Sequence, residues 1–222
     1  FKFTSDMSVE DSEKLAVNLG IKHSVIPIGE IYESFADSLE DEFSGLEPDI
    51  TEENLQSRCR GVILMALSNK SGELVLTTGN KSETAVGYST LYGDTAGGFG
   101  VLKDVPKTLV YELSRYRNTI SHVIPDRIIE RPPSAELAPD QQDSDSLPDY
   151  AILDKIIELY VEQDKSKAEI EASGIEKGMV DRVIRLIDLS EYKRRQAPLG
   201  VKITSRGFGK DRRYPITNKF LK

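Results

Sequence analysis

Glu73-Leu74-Val75-Leu76-Thr77-Thr78-Gly79-Asn80-Lys81-Ser82-Glu83 holds the clearest structural signal in the chain. Its first half, following the Ser71-Gly72 turn, is an apolar run that reads as a buried strand. Its second half is a glycine-led turn with a helix cap at Ser82. Upstream, Val9, Leu15, Ala16 and Leu19 are spaced for a helix over Ser8–Leu19 that stops at Gly20, and His23–Ile28 reads as a short strand. Ile31, Phe35, Leu39 and Phe43 keep helical spacing through residues 30–53, where acidic residues from Glu30 to Glu53 are unrelieved by Lys or Arg. That pattern predicts an amphipathic helix with a solvated acidic face. A further helix is expected from Asp49 or Thr51 to about Leu67, with Leu55, Cys59, Val62, Ile63, Ala66 and Leu67 as its apolar stripe. Alternating helix and strand predicts an α/β layer fold with a mainly parallel sheet. In such sheets ligands lie beyond the carboxyl ends of the strands, which is where Thr77 to Glu83 would sit.

Downstream, Lys107–Arg117 is expected to be helical, and residues 132–149 form a loop rich in proline and aspartate. Helical spacing resumes over Tyr150–Val161 and Lys177–Leu189, followed by a basic tail from Lys202 through Arg206, Lys210, Arg212, Arg213, Lys219 and Lys222 that reads as a solvated end. These divisions give an α/β core over 1–131, a loop over 132–149 and a helical portion with its tail over 150–222.

With 222 residues the chain is long enough for a filled core and for catalysis. No run is apolar enough for a membrane span and the start lacks a signal-peptide core, which reads as soluble and cytoplasmic. The single Cys59 excludes an internal disulfide and any cysteine-based zinc site. A net charge of −8 opposes long-range attraction to nucleic acid or anionic membranes, so any phosphate must meet a local site.

Gly93-Asp94-Thr95-Ala96-Gly97-Gly98-Phe99-Gly100 suggests a phosphate loop, but Phe99 stands where a Walker loop needs Lys, and Lys103 stands where a dinucleotide fingerprint needs glycine. Thr78 at a strand end and Glu83 in the next helix are placed to face one ligand; equally, Glu83 suits the helix dipole and Thr78 a backbone bond. Cys59 reads as a small buried hydrophobe. His23 and His122 stand apart from any nucleophile pattern. Tyr192-Lys193-Arg194-Arg195 is either surface charge or a short-range phosphate contact.

Several blocks together carry more than any one of them. Thr51-Glu52-Glu53-Asn54-Leu55-Gln56-Ser57-Arg58-Cys59-Arg60-Gly61, Leu76 to Glu83, Gly87-Tyr88-Ser89-Thr90-Leu91-Tyr92-Gly93-Asp94, Lys103-Asp104-Val105-Pro106-Lys107-Thr108, Arg131-Pro132-Pro133-Ser134-Ala135-Glu136-Leu137, Asp145-Ser146-Leu147-Pro148 and Glu191-Tyr192-Lys193-Arg194-Arg195-Gln196 occur in an order that closely resembles the NAD synthetase family. The wording is most similar to the glutamine-dependent branch, in which an amino-terminal nitrilase-like amidase domain supplies ammonia. The resemblance implies the parallel-sheet, adenine-nucleotide-hydrolase-like (ATP-pyrophosphatase) three-layer α/β fold with a helical carboxy-terminal portion. The family's Ser-Gly-Gly-x-Asp-Ser pyrophosphate loop is not found between Phe1 and Lys222, which predicts a sheet without its first strand or strands and, for a polypeptide of these residues alone, little activity and low stability.

What the resemblance further implies is an ATP- and Mg2+-dependent amidation of deamido-NAD through an adenylate, with ammonia from glutamine or solution. Carried onto this chain, Thr78, Lys107 and Ser134 would contact ATP, with Lys103 a neighbour. Glu83 would hold magnesium near deamido-NAD, and Glu83 and Lys107 would be the catalytic pair. Asn54, Tyr88, Ser89, Thr90, Leu91 and Lys193 would contact deamido-NAD, with Asp94 in the same loop. The 134–149 stretch becomes a mobile lid over ATP, and a homodimer is expected, with the Asn54–Leu67 helix as an interface element. Two other readings are an adenylating amidotransferase of the same group that uses a different acid, and a non-catalytic remnant.

Overall fold

The structure is a computed structural model that describes residues 1–217, so Lys219 and Lys222 of the expected basic tail lie outside the described residues. Helix α1 (Asp6–Leu19) begins where the Ser5 hydroxyl accepts the Ser8 amide at 3.2 Å and ends at Gly20, whose φ of 65° is the left-handed turn a Cβ disfavours. The expected strand His23–Ile28 does not form. No strand runs beside it among the described residues, and Val25 and Ile26 are exposed, so the segment has neither a ladder nor cover. Helix α2 (Gly29–Ser38) is shorter than its apolar spacing predicts. Asp37, Glu40, Asp41 and Glu42 crowd negative charge onto a carboxyl terminus that already carries the negative end of the helix dipole, and the chain leaves in turns.

Helix α3 (Ile50–Ser71) starts with a reciprocal box: Asp49 accepts the Thr51 amide at 2.7 Å while Glu52 accepts the Asp49 amide at 2.8 Å. Gln56, Ser57, Cys59 and Gly61 are its buried positions. The expected apolar stripe is only half right, because Val62 and Leu67 are 65% and 51% exposed, as are their neighbours Leu64 and Met65 in part.

Strands β1 (Leu76–Thr77), β2 (Phe99–Gly100) and β3 (Leu199–Gly200) form a parallel sheet in the order β1-β2-β3, in register Leu76–Phe99–Leu199 and Thr77–Gly100–Gly200. The strand expected over Glu73–Thr78 is thus a two-residue edge, and it is not buried: Leu74 and Leu76 are 64% and 54% exposed. Between β1 and β2 lies α4 (Lys81–Val86), and after β2 come α5 (Lys107–Ile120) and the short α6 (Asp126–Glu130). The 132–149 loop contains a single 3-10 turn at Asp143–Asp145 and is tied down by the Asp143 amide on the Pro133 carbonyl at 3.0 Å and by Gln56 Nε2 on the Leu137 carbonyl at 2.9 Å.

The main hydrophobic core lies beside the sheet, in the helical portion. Helix α7 (Tyr150–Ile157) widens into a π turn over Glu158–Glu162, and α8 (Lys167–Glu171) and α9 (Lys177–Leu189) pack against it. Leu153, Ile156, Val161, Ile170, Val180, Val183 and Ile187 are fully enclosed, and Ala85 and Val86 of α4 join the same cluster, so α4 and the carboxy-terminal helices share one core. The short α10 (Glu191–Arg194) then leads to β3. The tail expected to be solvated is docked. Arg206 and Arg212 both pair with Asp164, and Tyr214 is buried against Tyr160.

Candidate active site

The site grows from the first turn of α4. The cap is Asn80, two residues before the expected Ser82: Asn80 Oδ1 accepts the Glu83 amide at 3.0 Å while a Glu83 oxygen accepts the Asn80 amide at 3.2 Å. Serine at 82 is instead a helix residue whose hydroxyl accepts the Lys107 amide at 2.8 Å. Glu83 therefore has a local structural role, yet it is also a wall of a cleft. Its Oε1 receives Asn80 Nδ2 at 2.6 Å and Lys107 Nζ at 3.4 Å. Burial pushes its carboxyl above the ordinary glutamate range, and the Lys107 charge and the Asn80 bonds only partly pull it back. The Lys107 ammonium also lies 5.5 Å from the Tyr150 ring centroid, which backs it on its other side.

Glu83 faces a cleft shared with Thr77 and Gly79 at the end of β1, Ser89, Asp94 and Thr95 of the 87–98 loop, Lys103, and Lys193 with Pro198. Lys193 Nζ donates to the carbonyls of Gly87 at 2.7 Å and Ser89 at 2.6 Å, and Lys103 Nζ donates to the Pro198 carbonyl. Neither ammonium lies in an ion pair among the described residues. Burial lowers the pKa of both, with Asp94 opposing the shift at Lys193. Two partly desolvated cations whose hydrogen bonds go to backbone carbonyls are placed to receive an anion.

Two in-register glycines make the path for one of them. A Cβ on Gly200 would meet the Gly100 carbonyl at 2.4 Å and Lys103 Cβ at 2.7 Å, and a Cβ on Gly100 would meet Lys103 Cβ at 3.3 Å. The lysine stem fills the space that the two missing side chains leave.

Thr78 is exposed between the cleft-lining Thr77 and Gly79. Asn54 accepts the Thr90 hydroxyl at 2.8 Å, and Asp94 Oδ1 accepts the Thr90 amide at 2.7 Å and the Ser57 hydroxyl at 3.1 Å, so α3 shapes the 87–98 loop from behind. Leu91 anchors that loop through its carbonyl, which accepts Arg58 Nε at 3.2 Å. Tyr88 turns toward the 132–149 loop. Its hydroxyl donates to Asp143 Oδ1 at 3.2 Å while Tyr150 donates to Asp143 Oδ2 at 2.7 Å, and burial with that carboxylate raises both phenol pKa values. Ser134 lies outside the cleft lining, its hydroxyl given to the Gln141 carbonyl at 2.5 Å. Of Tyr192 to Arg195, Lys193 serves the cleft with its ammonium, whereas Arg194 is buried on Glu191 at 3.0 Å and on the Ala85 and Ile187 carbonyls.

The buried Lys81 escapes a reading of spacing. Its Nζ reaches Glu162 at 2.8 Å, Asp104 at 3.1 Å, the Thr204 hydroxyl at 2.5 Å and the Arg206 carbonyl at 2.9 Å. Burial would raise the Asp104 carboxyl, but the Thr204 and Ile203 amides and Lys81 hold it below the usual range. This cluster ties the docked tail to α4. Cys59 is buried, which raises its thiol pKa, in keeping with a packing role.

A parallel sheet, a cleft at the end of β1 lined by two lysines that donate to backbone carbonyls, and a carboxylate–ammonium pair at a helix start define the site of an α/β protein. The NAD synthase family model matches residues 1–197, and the chain belongs to that family. A glutamine-dependent NAD(+) synthetase of Acinetobacter baylyi is 56% identical over 220 residues, covering 98% of this chain and 41% of that protein. A solved glutamine-dependent NAD+ synthetase of Acinetobacter baumannii, in complex with adenosine diphosphate, is 51% identical with a TM-score of 0.58 over 96% of this chain and 38% of that one. The Cytophaga hutchinsonii enzyme of the same description is 25% identical with a TM-score of 0.76 over 97% and 37%. The chain thus spans about two fifths of the length of the curated relatives it matches. No helix among the described residues is long and apolar enough to cross a membrane.

Proposed function

We propose that the protein catalyses ATP-dependent amidation of deamido-NAD to NAD as the synthetase part of a glutamine-dependent, cytoplasmic enzyme. The observation that carries this is the cleft lined by Lys103 and Lys193, which donate to backbone carbonyls, and by a part-buried Glu83 paired with Lys107 at 3.4 Å. Such a site suits two polyanions brought together. The nicotinate carboxylate oxygen attacks the α-phosphorus of ATP and the bond to the bridging oxygen breaks, releasing pyrophosphate. Ammonia then adds to the acyl carbon, loses a proton, and AMP leaves with its electron pair.

Lys107 and the Ser134 hydroxyl, once released from Gln141, bind phosphate oxygens, and Thr78 binds ATP at the end of β1. Lys193, with Asn54 and the Tyr88-to-Leu91 segment behind it, orients deamido-NAD. No protein nucleophile is required; positioning and charge do the work. A magnesium ion fits the donor set in a limited way. Glu83 is the one cleft carboxylate beside Lys107, no group of three or more metal-binding side chains converges among the described residues, and magnesium is commonly held by one or two carboxylates plus substrate phosphates. Glu83 would hold it, and it would supply neutralisation of charge on the departing pyrophosphate. Ammonia comes from an amidase domain of the kind the relatives' description implies, and α3 joins two copies through Val62, Leu64, Met65 and Leu67. The domain limits 1–131, 132–149 and 150–222, with the middle segment closing over ATP, belong to the same reading.

The test is isotopic. Deamido-NAD labelled with 18O in its carboxylate should transfer one labelled oxygen to AMP for each NAD formed; release of ADP and unlabelled phosphate would refute the adenylate route.

A further inference from the structure

Glu83 and Lys107 come from different helices, and their 3.4 Å separation needs something to set it. Pro106, the residue at the start of α5, offers no side-chain cap to the helix amides behind it. The cap is supplied from elsewhere. Asp154, on α7, accepts the Thr108 amide at 2.9 Å and the Thr108 hydroxyl at 2.8 Å with one carboxylate oxygen, and its other oxygen accepts the Ser82 hydroxyl. Ser82 in turn accepts the Lys107 amide at 2.8 Å. Each partner adjoins a member of the pair: Ser82 precedes Glu83, and Thr108 follows Lys107. Asp154 itself lines a separate cavity with Lys81, Pro106, Thr108 and Glu162 and is absent from the lining of the substrate cleft.

We infer that Asp154 is a positioning residue of the synthetase site, a carboxylate that caps α5 from α7 and fixes Lys107 against Glu83 without touching substrate. A backbone amide at a helix start is a favourable seat for a carboxylate, and the Thr108 and Ser82 hydroxyls complete its hydrogen bonding. The inference rests on the proposed roles of Glu83 and Lys107. It assigns the core helix α7 a part in the chemistry: the packing that buries Leu153 and Ile156 on either side of Asp154 also sets how far the Lys107 ammonium stands from the cleft wall.

The experiment is a double-mutant cycle in the full-length protein, with D154N, D154A, K107M and the two double variants, each checked for a native circular-dichroism spectrum. D154A should lower kcat/KM for ATP by about 100-fold, the scale of a small misplacement of a catalytic group, with the larger share in kcat. D154N keeps an acceptor for the Thr108 amide and should recover most of that loss. In the K107M background either substitution should cost less than about threefold more, because the residue through which Asp154 acts is gone. Equal costs in both backgrounds would overturn the inference and leave Asp154 a fold residue. If D154A does not fold, Ser82→Ala, which removes the hydroxyl linking Asp154 to the Lys107 amide, replaces it in the cycle and decides by the same criterion. If the wild-type protein does not amidate deamido-NAD, the proposed function falls by itself, and the same cycle read by calorimetric ATP affinity still separates coupling from additivity.

Discussion

Glu83 carries two duties that normally separate. Capping is a stabilising role, yet burial raises its carboxyl pKa, so ionising it costs folding energy. For an acid with a folded-state pKa above its unfolded value, the stabilising contribution is complete below the unfolded pKa of about 4.3 and is lost as pH rises through the raised one. Glu83→Gln keeps an acceptor for the Asn80 amide and removes that cost. Its melting temperature at pH 8 should equal or exceed the wild-type value while NAD formation and magnesium dependence collapse; a lower melting temperature with near-normal turnover would contradict both halves. Lys193 makes a related case. Lys193→Met removes an ammonium that two carbonyls already hold, so deamido-NAD affinity should fall by about tenfold or more, the scale of a charge-assisted contact, with ATP affinity little changed by calorimetry. At this scale spacing left Glu83 open between a helix cap and a ligand contact and Lys193 open between surface charge and a phosphate contact, and the family resemblance alone gave each a role in the site. Spacing was silent on the burial of Lys81 and left Arg194 as surface charge or a phosphate contact, because partners that bury both lie more than 100 residues away.

Elements were legible where local chemistry decides them. Helix α1 stops at Gly20, α9 spans the expected Lys177–Leu189, and α3 starts at its Asp49 cap, because caps and apolar spacing act within a turn or two. Sheet elements were less legible, since a strand exists only when a neighbour pairs with it. His23–Ile28 had the composition and no partner, whereas Leu199–Gly200 drew no notice and pairs with β2 through a glycine. That glycine is testable. In Gly200→Ala the new Cβ would lie 2.4 Å from the Gly100 carbonyl and against the Lys103 stem, so β3 must move. Thermal denaturation should show a loss of about 1–3 kcal/mol, as for other overpacked sites, and an unchanged melting temperature would mean that the slot does not hold Lys103. Arg194→Ala should also cost about 1–3 kcal/mol, because it leaves the buried Ala85 and Ile187 carbonyls without their guanidinium donor, while Glu191 keeps Arg195 at 2.7 Å.

Over the whole molecule the fold class and the order of the site segments were legible, because the blocks that resemble the family run from α3 to α10. Where the core sits was not. Periodicity marks helices but not the partners they choose, and here α4 packs into the carboxy-terminal helices while Leu74 and Leu76 of the sheet edge stay exposed. The same exposure on α3 predicts a dimer: sedimentation should give twice the protomer mass for the wild-type protein and a shift toward monomer in Leu64→Glu/Met65→Glu, and a monomeric wild type would remove α3 as an interface. The most direct measurement is NAD formation by the full-length protein supplied with deamido-NAD, Mg-ATP and ammonium chloride, beside Glu83→Gln. The expected result is one NAD, one AMP and one pyrophosphate per ATP consumed, nearly abolished in the variant; no NAD, or equal rates in the two proteins, would contradict the assignment of this cleft as the synthetase site.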